Sequence, residues 1–207
     1  MPAFLQFLSS KEGLGAIAGI LSVVGYTPYI RDIIRQKTRP HLFSWIIWTL
    51  LAGIVFFAQI AKGAGPGAWT TGTATVMCVA IILLTLKHGD KTRTKSDWVF
   101  FFLGLAAIPL WRLTDSPALA VVLVTAIDYV AFVPTFRKSW HKPHEETLFA
   151  YFISAVKNGI SLFALQSFSL ATALFPFAVG LINLVFVAMV FSRRSNPKIA
   201  AQQSYTP

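Results

Sequence analysis

Four polar side chains stand deep inside apolar stretches of this chain: Asp128, Lys157, Asn158 and Asn183. Each lies near the centre of a run of about 20 mostly apolar residues, the length that crosses the ~30 Å hydrocarbon core of a bilayer. A charge held at that depth is costly unless it is paired or hydrated, so it faces a bundle interior or a water-filled cavity. Asp128 and Lys157 are the only charged groups so placed, and their signs are opposite. The simplest expectation is an ion pair between their two helices, with Asn158 and Asn183 completing its hydrogen bonds, since a half-satisfied pair is expensive to keep. Such a pair has two uses. It is a structural latch, or it belongs to a site where Asp128 exchanges a proton or Lys157 meets an anionic group when the pair opens.

Helical spacing extends the set. Tyr151, Ser154, Asn158 and Ser161 recur every three or four residues and share one helix face. That face lines a cavity or hydrogen-bonds a neighbouring helix. Ser44, Trp48 and Gln59 make a comparable face on an earlier segment, with Trp48 deep enough to stack on a ring-shaped solute and Trp45 placed as an interface belt residue. Thr70, Thr73 and Met77 make a milder polar face. The histidines, His41, His88, His141 and His144, fall in loops. No nucleophile–base pair, zinc spacing or phosphate-cradling glycine loop is present, so no catalytic residue, metal or cofactor is expected. Gly63-Ala64-Gly65-Pro66-Gly67 reads as a turn.

The elements that must position these residues follow from composition. The chain has 207 residues; 55% are hydrophobic and 13% charged. Seven apolar spans are expected, at about 12–31, 43–62, 67–87, 97–113, 117–137, 146–166 and 171–191. That leaves too little polar surface to coat a soluble protein. The net charge of +10 is concentrated in alternate loops: Arg31, Arg35, Lys37 and Arg39 after the first span, Lys87, Lys91, Arg93 and Lys95 after the third, Arg137, Lys138 and Lys142 after the fifth, and Arg193, Arg194 and Lys198 after the seventh. The opposite side carries only Lys11, Lys62 and Arg112. Positive loops mark the cytoplasmic face, which puts the N-terminus outside and the C-terminus in the cytoplasm. The same loops sit against anionic lipid headgroups. Nucleic-acid binding is not expected, because no soluble domain carries the charge. Met1–Ser10 has no basic region or cleavage site typical of a signal peptide. Cys78 is the lone cysteine and excludes an internal disulfide. Short loops without an appended domain suit a bacterial inner membrane.

The chain also repeats itself at an offset of 106 residues. Val24-Gly25-Tyr26-Thr27-Pro28 and Arg31 recur as Val130-Ala131-Phe132-Val133-Pro134 and Arg137; Leu42-Phe43 recurs as Leu148-Phe149, and Gly53-Ile54 as Gly159-Ile160. The fold expected is an all-α membrane protein of seven transmembrane helices, two parallel three-helix bundles and a linker helix between them. Residues 1–95 hold the first repeat, 96–115 the linker, 116–194 the second repeat and 195–207 a cytoplasmic tail. The odd span restores direction, so both bundles run the same way about an axis along the membrane normal. Pro28 and Pro134, near the cytoplasmic ends of spans 1 and 5, are expected to kink or hinge both helices alike. Where the second repeat has Asp128, Lys157, Asn158 and Asn183, the first has Ser22, Leu51, Ala52 and Met77, so the polar chemistry is asymmetric.

Pro28, the basic run that follows it and Ser44-Trp45 opening the next span resemble the PQ-loop motif. The 3+1+3 layout resembles that of the full-length members of the same superfamily, the SWEET sugar transporters and the PnuC-type vitamin transporters. The layout covers all seven spans; the motif covers about residues 24–48 and 130–151. Tyr29 and Thr135 stand where the motif has glutamine. The resemblance implies a Trp-x-x-Trp that stacks on substrate, a spelling found at Trp45-Ile46-Ile47-Trp48, whereas the second repeat reads Tyr151-Phe152-Ile153-Ser154. It also implies a mid-bundle asparagine in each repeat, a place held by Asn183 and by Met77. The function expected is alternating-access transport of a small polar solute, sugar- or vitamin-like, at a mid-membrane cavity between the repeats, in a chain that is not an enzyme and that could form a homo-oligomer. Trp48, Asp128, Tyr151, Ser154, Lys157, Asn158 and Asn183 are its candidate binding residues. The alternative is a non-transporting receptor or scaffold whose basic loops bind a partner or anionic lipid; it requires a closed core with Asp128 and Lys157 paired.

Overall fold

The computed structural model describes residues 3–36, 42–88, 95–141, 143 and 148–195, and these are helices joined by turns. A short α1 (Ala3–Leu8), not among the expected spans, precedes α2 (Lys11–Ile34), α3 (Leu42–Ala61), α4 (Trp69–His88), α5 (Lys95–Thr114), α6 (Pro117–His141), α7 (Leu148–Phe163) and α8 (Leu170–Arg194). A 3-10 turn, Gly65–Ala68, leads into α4. Local chemistry sets several boundaries. Ser10 Oγ accepts from Gly13 N at 3.1 Å and caps α2, satisfying a donor that has no partner in the first turn. At α8, Ser169 N donates to Thr172 Oγ1 at 2.9 Å. α7 stops at Phe163, short of the expected 166, because the chain turns there to bury Leu165 and to let Gln166 N donate to Ala64 O at 2.9 Å.

Four segments, Lys11–Ile34, Ser44–Ala61, Gly65–Lys87 and Leu170–Arg194, are long and apolar enough to cross a membrane, and Phe101–Thr114, Pro117–Phe132 and Leu148–Phe163 are shorter apolar helices. Ile20, Phe57, Val76, Leu83, Phe152, Leu184 and Phe191 point outward and are exposed, while Ser22, Gln59, Lys157, Asn158, Ser161 and Asn183 are buried. Apolar outside and polar inside is the distribution that a bilayer demands and water opposes. The all-α architecture is thus compatible with an integral membrane protein.

Packing follows the repeat. α4 lies against both α2 and α3; α8 lies against both α6 and α7. α2 packs on α7, and α3 packs on α6. Because α6 begins at Pro117, 106 residues after Lys11, these two seams correspond to each other. α5 rests on α3 and α6.

The two ends of the molecule differ. At the glycine-turn end the repeats press together. Gly65 has φ +61, and a Cβ there would collide with the Gln166 side chain; a Cβ on Gly67 would stand 2.5 Å from Leu165 Cδ2. Ala64, Ala68, Leu165 and Ala173 form a buried apolar plug. Gln59 is not a cavity residue as its helix face suggested. It is fully buried, and its Nε2 donates to Thr172 O on α8 at 2.9 Å, tying the repeats together beside the plug. At the basic end, Arg193 Nε donates to Trp140 O at 3.1 Å with its guanidinium 4.3 Å from the Trp140 ring, and Arg194 Nε donates to Pro143 O at 2.9 Å. Pro28 and Pro134 both lie inside continuous helices, α2 and α6. Lys37, Arg39, His41, Lys91, Arg93, Lys142, His144, Lys198 and the remainder of the tail fall outside the described residues, as do the side chains of His88, Pro134, Arg137 and Lys138.

Candidate functional site

A cavity of about 380 Å³ lies between the repeats, walled by α2, α3, α4, α6, α7 and α8. It reaches from Thr70 and Thr71, beside the glycine turn, towards Tyr29, Trp45 and Ala150 near the basic end. All seven residues singled out from the sequence line it: Trp48, Asp128, Tyr151, Ser154, Lys157, Asn158 and Asn183. The wall is built from corresponding positions of the two repeats. Ser22 and Asp128, Tyr26 and Phe132, Trp45 and Tyr151, Trp48 and Ser154, Leu51 and Lys157, and Ala52 and Asn158 are all in it.

The expected ion pair is not formed. Lys157 Nζ donates instead to Ser22 Oγ at 3.0 Å, with the Tyr26 ring centroid at 5.5 Å. The carboxylate of Asp128 has neither hydrogen bond nor ion pair among the described residues. The reason is helix order. α8 packs against both α6 and α7, so Asp128 on α6 and Lys157 on α7 belong to different seams. α7 packs on α2, which delivers the ammonium to a residue 135 positions away in sequence. On the other side, Tyr129 OH donates to Ala178 O at 2.8 Å, which fixes the turn of α6 that carries Asp128.

The asparagines do not complete an ion pair either. Asn158 Nδ2 donates to Ser154 O at 2.8 Å, and Asn183 Nδ2 donates to Val179 O at 2.8 Å. Each amide thus donates on its own helix, as polar side chains in helices do, and neither Oδ1 has a partner among the described residues. Both side chains face the cavity with an acceptor available.

Two aromatic groups flank the polar centre. Trp45 and Trp48 meet edge-on at 5.1 Å between centroids, and Tyr29 lies 5.2 Å from Trp45. Across the cavity, Phe132 and Tyr151 stand 5.9 Å apart, and Tyr151 lies 4.4 Å from Phe186. Trp45 is no interface belt residue: it is 8% exposed and packs with Ile33, Cys78 and Ile81. Trp48, at 40% exposed, presents its ring to the cavity. Thr70, Thr71, Ala74 and Cys78, and not Thr73 or Met77, supply the α4 wall. Tyr26, whose hydroxyl lies 3.7 Å from Cys78 Sγ, was missed from the sequence. Its correspondence to Phe132 within the repeat was the signal that could have found it.

The two tryptophans should separate cleanly on truncation. Trp45→Ala is expected to destabilise the fold by about 3–5 kcal/mol, the usual loss for a buried aromatic. Trp48→Ala is expected to leave the unfolding temperature nearly unchanged. Thermal unfolding of both variants in detergent checks this.

No group of three His, Cys, Asp or Glu side chains could hold a metal among the described residues. No family model, curated protein or solved structure matches the chain.

Proposed function

We propose that the chain is a seven-helix membrane transporter of the 3+1+3 type, with α2–α4 and α6–α8 as parallel bundles, α5 as linker and a small polar solute bound between them. One observation carries the proposal: a cavity whose wall is drawn from corresponding positions of both repeats, and whose polar groups are otherwise buried in an apolar molecule. A substrate site at the repeat interface, near the bilayer midplane, is the arrangement that repeat-built transporters use. The correspondence of the α2–α7 and α3–α6 seams supports a pseudo-two-fold axis along the membrane normal. The PQ-loop resemblance around Pro28 points the same way.

The basic loops support placing the basic end in the cytoplasm. In this reading the closed glycine-turn end faces outward, and the cavity's reach towards Tyr29, Trp45 and Ala150 supports an inward-facing state. Pro28 and Pro134 are the hinges of the proposed motion, each lacking the backbone N–H that would stiffen its turn. The bacterial inner membrane remains the proposed location. The scaffold reading requires a closed core with Asp128 and Lys157 paired; the cavity and the Lys157–Ser22 contact both weigh against it.

Thermal stabilisation of the purified protein, followed by uptake into proteoliposomes, tests the proposal. The panel comprises sugars, nucleosides, B vitamins and amino acids. A stabilising compound that is also taken up supports transport, and its effect should shrink in Trp48→Ala by a few-fold to about tenfold, the worth of one aromatic contact. Stabilisation without uptake would favour a receptor, and the absence of both across the panel would favour a scaffold.

A further inference from the structure

The correspondence between the repeats shows what each charge is missing. Ser22 occupies the place of Asp128, and Leu51 occupies the place of Lys157. On the α2–α7 seam, Lys157 Nζ reaches Ser22 Oγ at 3.0 Å. By the same correspondence, the α3–α6 seam carries Asp128 and Leu51, and both line the cavity. Had both repeats the residues of the second, each seam would hold an aspartate–lysine pair. Instead each seam keeps one half. A buried ammonium faces a hydroxyl, and the corresponding carboxylate has no counter-ion among the described residues. Ion and counter-ion have been separated onto two sides of one cavity, and a buried charge without its counter-ion is the costly case.

We infer that the solute supplies both missing halves: it is a zwitterion, a small molecule with a carboxylate and a cationic nitrogen. This deepens the transport proposal and rests on it. The carboxylate is received by the Lys157 ammonium, which the fully buried Ser22 hydroxyl positions. The cationic nitrogen is received by Asp128, with Trp48 and Tyr26 as aromatic surfaces for the body of the molecule, a surface that also attracts a cation. A volume of about 380 Å³ is in the range of small-molecule sites. Asn158 and Asn183 offer acceptors to the remaining N–H or O–H groups.

The test uses the full-length purified protein and matched sets of probes. Each α-amino acid with an uncharged side chain, and glycine betaine, is compared with its methyl ester, which keeps only the cation. For the amino acids the N-acetyl form, which keeps only the anion, is added. Sugars, nucleosides and B vitamins complete the panel. One or more zwitterions are expected to stabilise the protein and to be taken up. Each single-charge derivative should bind about tenfold more weakly or worse, the loss expected for one charge-assisted hydrogen bond. Lys157→Leu, the residue that the other repeat uses, should remove the preference for the zwitterion over its ester. Asp128→Ser, likewise borrowed, should remove the preference over the N-acetyl form. A neutral solute that binds and is transported equally well in both variants would overturn the zwitterion while leaving transport intact. Absence of binding and uptake across every class would overturn both.

Discussion

Ser22→Asp should raise the unfolding temperature and abolish solute binding in one step. The substitution installs at position 22 the residue that stands at the corresponding Asp128. Lys157 Nζ is already 3.0 Å from Ser22 Oγ, so a carboxylate there pairs with it directly. Removing one partner of a buried pair typically costs about 3–5 kcal/mol, which bounds what supplying the partner can return. Against this stands overpacking, since Ser22 is fully buried; added volume in a packed site costs about 1–3 kcal/mol. The balance is a stabilisation, and each kcal/mol moves the melting temperature by about 2–4 °C in a chain of this size. Function moves the other way. With its counter-ion supplied internally, Lys157 no longer meets the solute, and uptake should fall by about 100-fold or more, the equivalent of two charge-assisted bonds at the low end of their range. Ser22→Asn, similar in size but uncharged, gives the overpacking without the pair and should lower the melting temperature. Thermal unfolding in detergent with proteoliposome uptake reads both quantities. A Ser22→Asp protein that melts earlier and still transports would remove Lys157 from the site.

Cross-linking the glycine-turn end should stop transport outright and reversibly. A Cβ built on Gly63 would stand 3.9 Å from Ser167 Cβ, within the separation that a disulfide spans. Gly63→Cys with Ser167→Cys therefore joins the α3–α4 connection to the α7–α8 connection, one from each repeat. Gly63 has φ +67, so a cysteine there carries about 1–2 kcal/mol of backbone strain. The variant is made with Cys78→Ala, because Cys78 lies in the cavity wall. Oxidation should reduce uptake to that of empty liposomes, and a reductant should restore it, because alternating access requires this end to open. Binding from the basic end should survive the cross-link. Full uptake through a completely cross-linked protein would mean that the Gly63–Ala68 turn does not part during the cycle.

Much of the cavity lining was legible because the signals were one-dimensional. A charge in an apolar run, a three-to-four spacing along α7 and a fixed repeat offset need no knowledge of neighbours. These located Asp128, Lys157, Asn158, Asn183, Tyr151, Ser154 and Trp48, all of which line one cavity. What failed was every inference about which helix a face meets. Opposite signs on consecutive spans suggested a pair, yet α7 turns Lys157 towards α2. Gln59 shares a helix with Trp48 but anchors α8, because by that depth the repeats are in contact. Trp45 sits near a helix start, where belt residues are common, yet α2 and α4 cover it. Helical periodicity tells which residues travel together; helix order decides what they touch, and order is a three-dimensional property of the bundle.

Asp128 and Lys157, though on different seams, both ride on the second repeat, in α6 and α7. In the proposed cycle, a swing of that repeat would carry the two charges together, and their displacements across the electric field would cancel. A lone charge carried through the field would exchange about 2.3 kcal/mol for every 100 mV of membrane potential. On the transport proposal, the wall of this cavity would be nearly silent to voltage, and its motion would answer to the solute.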